Sequence, residues 1–212
     1  MAGYEKPDFW SLKAKKEGYP ARSVYKLEEI VAKFGLIKKT GSQDQAGQQT
    51  GQHAGPHILD IGAAPGSWSL WILRRLAGQG SLVAVDIQDL GIAPKDVGFR
   101  FIKGSILGES VRASLREAGP YSLVVSDAAP STTGNRLVDQ GRSEELVESV
   151  MGLALEVLAP GAALVMKIFQ GGEEKRLIDE LKTHFALARG YKPEACRAQS
   201  FETYLVATGF KR

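Results

Sequence analysis

The chain has 212 residues, 43% of them hydrophobic and 24% charged, with a formal charge of +3; this suffices for one continuous core without disulfides or metals and leaves no room for a second full domain. No apolar run approaches the ~20 residues needed to cross a bilayer, which excludes a membrane-spanning helix. The first six residues carry neither the apolar core nor the cleavage site of a secretory signal, and Cys196 is the only cysteine, so a reducing cytoplasm is the expected setting.

Charge is uneven along the chain. Residues 1–39 hold nine Lys/Arg (Lys6, Lys13, Lys15, Lys16, Arg22, Lys26, Lys33, Lys38, Lys39) against five acids (Glu5, Asp8, Glu17, Glu28, Glu29), a balance of +4 that leaves −1 for the remainder. Such a run usually marks a solvated helix face, and alone it points to a polyanion only weakly. Within it Val24, Leu27, Val31 and Phe34 recur at three- and four-residue steps and predict a helix over Ser23–Phe34 that packs on the domain. Residues 40–56, TGSQDQAGQQTGQHAGP, offer no large apolar side chain to offset the entropy of ordering and read as a flexible loop. From residue 57 to 212 short apolar or β-branched runs alternate with longer helical patterns, the sequence form of a parallel sheet covered by helices. Strands are expected at His57–Ile61, Leu82–Ile87, Arg100–Lys103, Leu123–Ser126, Ala163–Ile168 and Tyr204–Thr208, with another near Tyr191–Cys196. Helices are expected at Ser67–Leu76, Glu109–Glu117, Ser143–Leu158 and Glu173–Phe185, with Pro160-Gly161 as a stop before the following strand. The expectation is an open, doubly wound α/β domain whose N-terminal helical extension belongs to the same unit.

Four segments carry chemistry. In Leu59-Asp60-Ile61-Gly62-Ala63-Ala64-Pro65-Gly66-Ser67-Trp68 a strand runs through a small-residue turn into a helix, the place where ligands bind in such folds. Asp86 ends the next strand, where an acid commonly accepts hydrogen bonds from ribose hydroxyls. A tight connection without a ligand would look much the same from the turn alone. A dinucleotide fold would show G-x-G-x-x-G, but with Gly62 as the first glycine the next two places hold Ala64 and Ser67. Asp60 would repel a pyrophosphate and attract a cationic amino-acid tail, which suits S-adenosylmethionine. Asp127 follows an apolar strand in Val125-Ser126-Asp127-Ala128-Ala129-Pro130, at the rim where cofactor and substrate meet; an ordinary turn cap is the plainer reading. Lys167 interrupts the apolar run Leu164-Val165-Met166-Lys167-Ile168-Phe169, where a buried lysine is costly unless paired. Glu202 precedes the last strand and singly would be a surface acid.

Ala21 through Leu27, Leu59 through Trp68, Ser126 through Pro130, Val165 through Gly171 and Glu202 through Gly209 together resemble the FtsJ/RrmJ (RlmE) ribose 2′-O-methyltransferases, over almost the whole chain and in the family's order. The resemblance implies a Rossmann-like class I methyltransferase fold with one antiparallel strand in a mostly parallel sheet. It implies a Lys-Asp-Lys-Glu tetrad at Lys26, Asp127, Lys167 and Glu202, with Lys167 as proton acceptor, Lys26 as neighbouring cation, Asp127 orienting Lys167 and Glu202 holding Lys26. It further implies that Gly66, Trp68, Asp86 and Asp127 line an S-adenosylmethionine site, to which Asp60, Gly62, Pro65, Ile87 and Ser105 are added as candidates from the residues themselves, and a uridine of large-subunit ribosomal RNA as substrate. Ser105, in Ile102-Lys103-Gly104-Ser105, stands where bacterial members usually carry an acid near the adenine, and a neutral hydroxyl is the weaker partner. The 40–56 loop looks like an insertion. RNA is expected across Lys13, Lys15, Lys16, Arg22, Lys38 and Lys39, with Trp10, Tyr19 and Tyr25 more often packing residues than base platforms. Neither His53, His57 and His184 nor Cys196 has metal-ligand spacing, so no metal is expected; nor is a membrane, and the chain is expected to act as a monomer. A transfer-RNA or cap ribose substrate, a noncatalytic assembly factor and an NAD-dependent oxidoreductase are the alternatives.

Overall fold

A computed structural model describes residues 8–37, 55–130, 134, 136–171, 173–197 and 199–211; Lys38, Lys39, His53 and the 40–54 stretch lie outside the described residues. In chain order the elements are α1 (Phe9–Lys16), α2 (Val24–Phe34), β1 (His57–Ile61), α3 (Ser67–Leu76), β2 (Ser81–Asp86), β3 (Phe99–Lys103), α4 (Glu109–Ala118), β4 (Tyr121–Ser126), α5 (Arg136–Val157), β5 (Leu158–Phe169), α6 (Glu174–His184), β6 (Phe185–Tyr191) and β7 (Glu202–Phe210). The strands form one seven-stranded sheet in the order β3-β2-β1-β4-β5-β7-β6. Neighbours from β3 to β5 pair in parallel, and β7 pairs antiparallel with both β5 and β6. This is the expected Rossmann-like α/β sheet with one antiparallel strand. The order reverses between β1 and β4, which opens a crevice at their C-terminal ends.

Because side chains alternate along a strand, each strand feeds two cores. On one face Leu59, Val83, Val124 and Leu164 meet Leu115, Val150 and Leu177 of α4–α6. On the other Ile58, Leu82, Val125, Val165 and Tyr204 meet Leu27, Ile30 and Ile72 of α2 and α3. Asp60, Asp86, Asp127, Lys167 and Glu202 share the parity of this second set, so the sheet delivers all five toward the layer that carries Lys26.

The structure corrects several boundaries. The N-terminal extension holds two helices, α1 having been hidden by its lack of an apolar stripe; Asp8 caps it by accepting the Ser11 amide at 2.9 Å, and Lys13, Lys15 and Lys16 occupy its favourable last turn. α5 starts seven residues before Ser143. Pro160 and Gly161, expected to separate helix from strand, fall inside β5, where the register shifts between the Tyr121↔Leu158 and Leu123↔Ala163 pairs; a bulge accommodates the missing amide of Pro160 and the positive φ of Gly161. The strand expected near Tyr191–Cys196 lies earlier, as β6: only Phe185 and Ala188 of this edge strand are buried, so no alternating signal marks it, and Pro193–Cys196 instead form a turn closed by a Cys196 N–H bond to the Pro193 carbonyl at 3.0 Å.

Candidate active site

The crevice begins at the turn after β1. The amides of Gly62 and Ala63 donate to the Val85 carbonyl at 2.9 and 3.2 Å, and the Ala64 amide to Asp86 Oδ2 at 2.9 Å, which wraps the turn over the end of β2. A Cβ on Gly62, whose φ is +75°, would lie 2.6 Å from the Ala128 backbone; glycine is what lets the β1 and β4 ends touch and brings this turn beside Asp127. Gly66 closes the turn at the N-terminus of α3, against Ile92, whose side chain would lie 2.5 Å from a Cβ added there. Pro65 is exposed and its carbonyl accepts the Gly91 amide at 2.9 Å.

Three carboxylates surround this turn. Asp60 is fully buried; Ser69 Oγ donates to its Oδ2 at 2.6 Å, while Oδ1 has no hydrogen-bond partner among the described residues. Burial pushes its acid up to about 7, Ser69 pulls it back, and the charges of Asp127 and Asp86 push it further. Asp86 Oδ1 accepts the Gln88 amide at 2.8 Å. Ile87, next along, is 66% exposed, an apolar surface with nothing packed over it. Trp68 is placed differently from a ligand-facing ring: it is buried, its indole N–H donates to the Ser23 carbonyl at 2.9 Å and its ring lies 5.9 Å from Tyr204. Its backbone lies in the first turn of α3, whose leading amides have no partner within the helix. Ser105 is exposed and its hydroxyl accepts the Leu107 amide at 3.2 Å.

The tetrad residues converge from three strand ends and one helix. The register pairs Ser126 with Met166, Lys167 with Tyr204 and Phe169 with Glu202, so Asp127, Lys167 and Glu202 meet at one edge. Lys167 Nζ lies 3.1 Å from Asp127 Oδ1 and donates to the Asp127 carbonyl at 2.6 Å. Lys26, a buried residue of α2, places Nζ 2.6 Å from Glu202 Oε1. Burial raises the Glu202 acid, but the hydrogen bond and charge of Lys26, the charge of Lys167 and a hydrogen bond from Cys196 outweigh it, and the net displacement is downward. Glu202 therefore sits in the field of both lysines and stays ionised.

Tyr204 was not singled out for a role, though it completes the site: fully buried, it donates its hydroxyl to Asp127 Oδ1 at 2.8 Å. Burial, then the charges of Asp127 and Glu202, hold this phenol well above its usual range, so it remains a donor. Nothing in the spacing links residues 77 apart; only the β5–β7 register does. Since Lys167 shares the same oxygen, Tyr204→Phe is expected to lower stability by ~1–2 kcal/mol, the low end for a bond to a charge, and to slow turnover about tenfold, read by thermal unfolding and single-turnover kinetics.

The basic residues separate. Lys15 and Lys16 are exposed. Lys13 lies 4.3 Å from the Tyr25 ring centroid and 3.9 Å from Glu17. Arg22, expected to meet phosphate, turns inward: it pairs with Asp8 and donates to the Ala195 carbonyl at 2.6 Å, leaving its side chain 16% exposed. Tyr25 is a buried packing residue and Tyr19 lies under Arg74. A cleft of about 480 Å³ opens beside the turn, lined by Ser11, Lys15, Tyr19, Arg22, Gly91 and Ile92 among others. Among the described residues no His, Cys, Asp and Glu grouping could hold a metal, and no helix is long and apolar enough to cross a membrane.

Comparison with known proteins gives this geometry its lineage. The chain is 44% identical over 208 residues to a protein named ribosomal RNA large subunit methyltransferase E from Treponema denticola, covering 98% of this chain and 97% of that one. It is 43% identical to the protein of the same name from Borreliella afzelii, covering 96% and 98%. A crystal structure of a protein assigned as a ribosomal RNA methyltransferase, from Plasmodium falciparum, superposes with a TM-score of 0.74 at 28% identity, covering 91% of this chain and 98% of that one. Residues 19–210 match the family model described as FtsJ-like methyltransferase, a span that takes in Lys26, Asp127, Lys167 and Glu202, and the chain accordingly belongs to the FtsJ-like methyltransferase family and is a methyltransferase.

Proposed function

We propose that this protein transfers the methyl group of S-adenosylmethionine to a ribose 2′-hydroxyl of ribosomal RNA, a uridine of the large subunit, acting in the cytoplasm as a monomer. The observation that carries the reading is the meeting of Lys26, Asp127, Lys167 and Glu202 at the crevice edge, directly beside the Gly62–Gly66 turn. Close relatives named as large-subunit ribosomal RNA methyltransferases support the substrate.

The residues present fit the cofactor. The three carboxylates suit a cation and would repel a pyrophosphate, and the buried Asp60 Oδ1 accepts no hydrogen bond from the described residues. Asp60 and the turn would hold the amino-acid tail, Asp86 the ribose hydroxyls through lone pairs its two amide bonds leave over, and Ile87 the adenine face, with Ser105 nearby. When bound, the sulfonium supplies an already activated methyl group, so the chain's task is alignment and proton removal. Lys167 takes the proton from the 2′-hydroxyl, held by Asp127; Lys26 faces the same oxygen; Glu202 fixes Lys26 and the ribose. Among the described residues of the N-terminal extension, the exposed Lys15 and Lys16 would meet RNA phosphates, with the cleft beside Ile92 as a route inward. Replacing both by alanine is expected to raise KM for RNA about three- to tenfold at low salt, leave kcat unchanged and reduce the slope of log affinity against log salt by ~1.5, as for two lost phosphate contacts.

The deciding experiment offers labelled S-adenosylmethionine to ribosomal subunits, transfer RNA and capped RNA, and maps the modified nucleotide. Label on a large-subunit ribose supports the proposal; label on another RNA keeps the chemistry and replaces the substrate. Cofactor binding with no label anywhere overturns it in favour of a noncatalytic assembly factor, and NAD-dependent stabilisation would favour an oxidoreductase.

A further inference from the structure

Helix α1 carries the two exposed lysines, yet burial holds it only weakly. Of its eight residues only Ala14 is buried, and a helix this short is not stable on its own. What fixes it is polar and sits at its two ends. At the C-terminal end Tyr25 donates its hydroxyl to the Glu17 carboxylate at 2.9 Å, and Arg74 donates to the Glu17 carbonyl at 3.0 Å. At the N-terminal end Asp8 divides its carboxylate: Oδ1 caps the helix by accepting the Ser11 amide at 2.9 Å, and Oδ2 accepts from Arg22. The other terminal nitrogen of the same guanidinium donates to the Ala195 carbonyl at 2.6 Å. Ala195 is fully buried in the core that holds Val24 and Leu27, and Glu29 accepts the adjacent Glu194 amide at 2.9 and 3.1 Å. Arg22 therefore spans from the start of α1 to a fixed point of the domain.

We propose that Arg22 is a positioning residue for RNA binding: its guanidinium joins Asp8 to the Ala195 carbonyl and so holds α1, with Lys15 and Lys16, in place before RNA arrives. The residue type suits the task, since a guanidinium presents its donors in a rigid fork and reaches two acceptors at once, whereas an ammonium is a point charge. The Arg22 side chain is only 16% exposed, so its charge is engaged by Asp8 and not turned to solvent. A helix already fixed does not have to be ordered when the phosphates bind, which removes a cost from association. This inference rests on the proposed function, because that reading gives Lys15 and Lys16 phosphates to meet.

The test follows methyl transfer to large ribosomal subunits across a salt series, together with amide hydrogen exchange of α1 in the RNA-free protein. It compares the wild type, Arg22→Met, Asp8→Asn, Lys15→Ala/Lys16→Ala and the triple variant that adds Arg22→Met to the two alanines. Arg22→Met is expected to raise KM for RNA about threefold at low salt while kcat and cofactor Kd stay within about twofold, because the same phosphates are met by a less ordered helix. The slope of log affinity against log salt should not change, whereas an arginine that touched a phosphate itself would take ~0.9 from it when removed. Exchange of the Leu12–Glu17 amides should quicken about tenfold, as for the loss of a hydrogen bond to a charge. Asp8→Asn keeps an oxygen for the Ser11 amide but loses the charge that Arg22 pairs with. It should move KM and exchange in the same direction to a smaller extent, and it serves if Arg22→Met folds poorly. In the Lys15→Ala/Lys16→Ala background Arg22→Met should raise KM no further. A lowered salt slope, wild-type exchange in both strut variants, or an additive loss in the triple variant overturns this inference alone. A wild-type protein that moves no methyl group to any RNA overturns the functional reading and this inference with it.

Discussion

Lys167→Met is expected to reduce methyl transfer by ~10³-fold, within the 10²–10⁴ that a positioned base contributes, while Kd for S-adenosylmethionine stays within about threefold. The separation follows from placement: Lys167 projects from β5 toward the Asp127 end of the crevice, 3.1 Å from Asp127 Oδ1, whereas Asp60, Asp86 and Ile87 line the other. Lys167→Arg sharpens the result. Arginine can keep the ion pair with Asp127 but cannot be deprotonated to act as a base. An arginine variant as inactive as the methionine one would assign Lys167 to proton removal; recovery to within about tenfold of wild type would make it an electrostatic anchor and remove it from the base role. The measurement is single-turnover transfer at saturating cofactor, with binding followed separately by calorimetry.

How far this site was legible in the sequence depended on distance along the chain. Asp86, Asp127 and Lys167 stood out because each ends or interrupts an apolar run, and strand ends are where this sheet architecture gathers ligands. Parity along the strands also put them on one face. Glu202 looked like a surface acid on local evidence, and only family resemblance marked it; its 2.6 Å bond to Lys26 depends on the antiparallel pairing of β7 with β5. The Tyr204–Asp127 bond has the same origin. Arg22 misled for the converse reason: a guanidinium in a basic run reads as a phosphate contact, yet Asp8 and the Ala195 carbonyl, 14 and 173 residues away, draw it inward. β6 escaped because an edge strand buries too few side chains to alternate, and the turn after it therefore passed for a strand.

Asp60→Asn is expected to stabilise the cofactor-free protein above pH 7 while weakening cofactor binding. The Asp60 acid is displaced from 3.8 to about 7, chiefly by burial, against the pull of Ser69 and with the charges of Asp127 and Asp86 adding to it. A folded value above the unfolded one means that the native state holds its proton where the unfolded chain has lost it. The associated stability is fully present below pH 3.8, declines as pH rises and is lost once pH passes about 7; at ~1.36 kcal/mol per pH unit the loss is ~4 kcal/mol. Asparagine does not ionise, so its advantage over wild type should widen between about pH 4 and 7 and then level off. The Asn amide must still find partners near Ser69, which takes part of the gain, so ~1–3 kcal/mol is expected to remain at pH 8. A cationic amino-acid tail beside the turn would favour the ionised acid, so S-adenosylmethionine binding by the wild type should release a proton and weaken up to tenfold per unit as pH falls below 7; the variant should bind weakly with little pH dependence. Thermal unfolding from pH 4 to 8 and titration calorimetry in two buffers of different ionisation enthalpy read both effects. An asparagine variant less stable than wild type at pH 8 would remove the ionisation cost from the account. Unchanged affinity across the pH range would remove Asp60 from the cofactor site and leave it a packed strand residue held by Ser69.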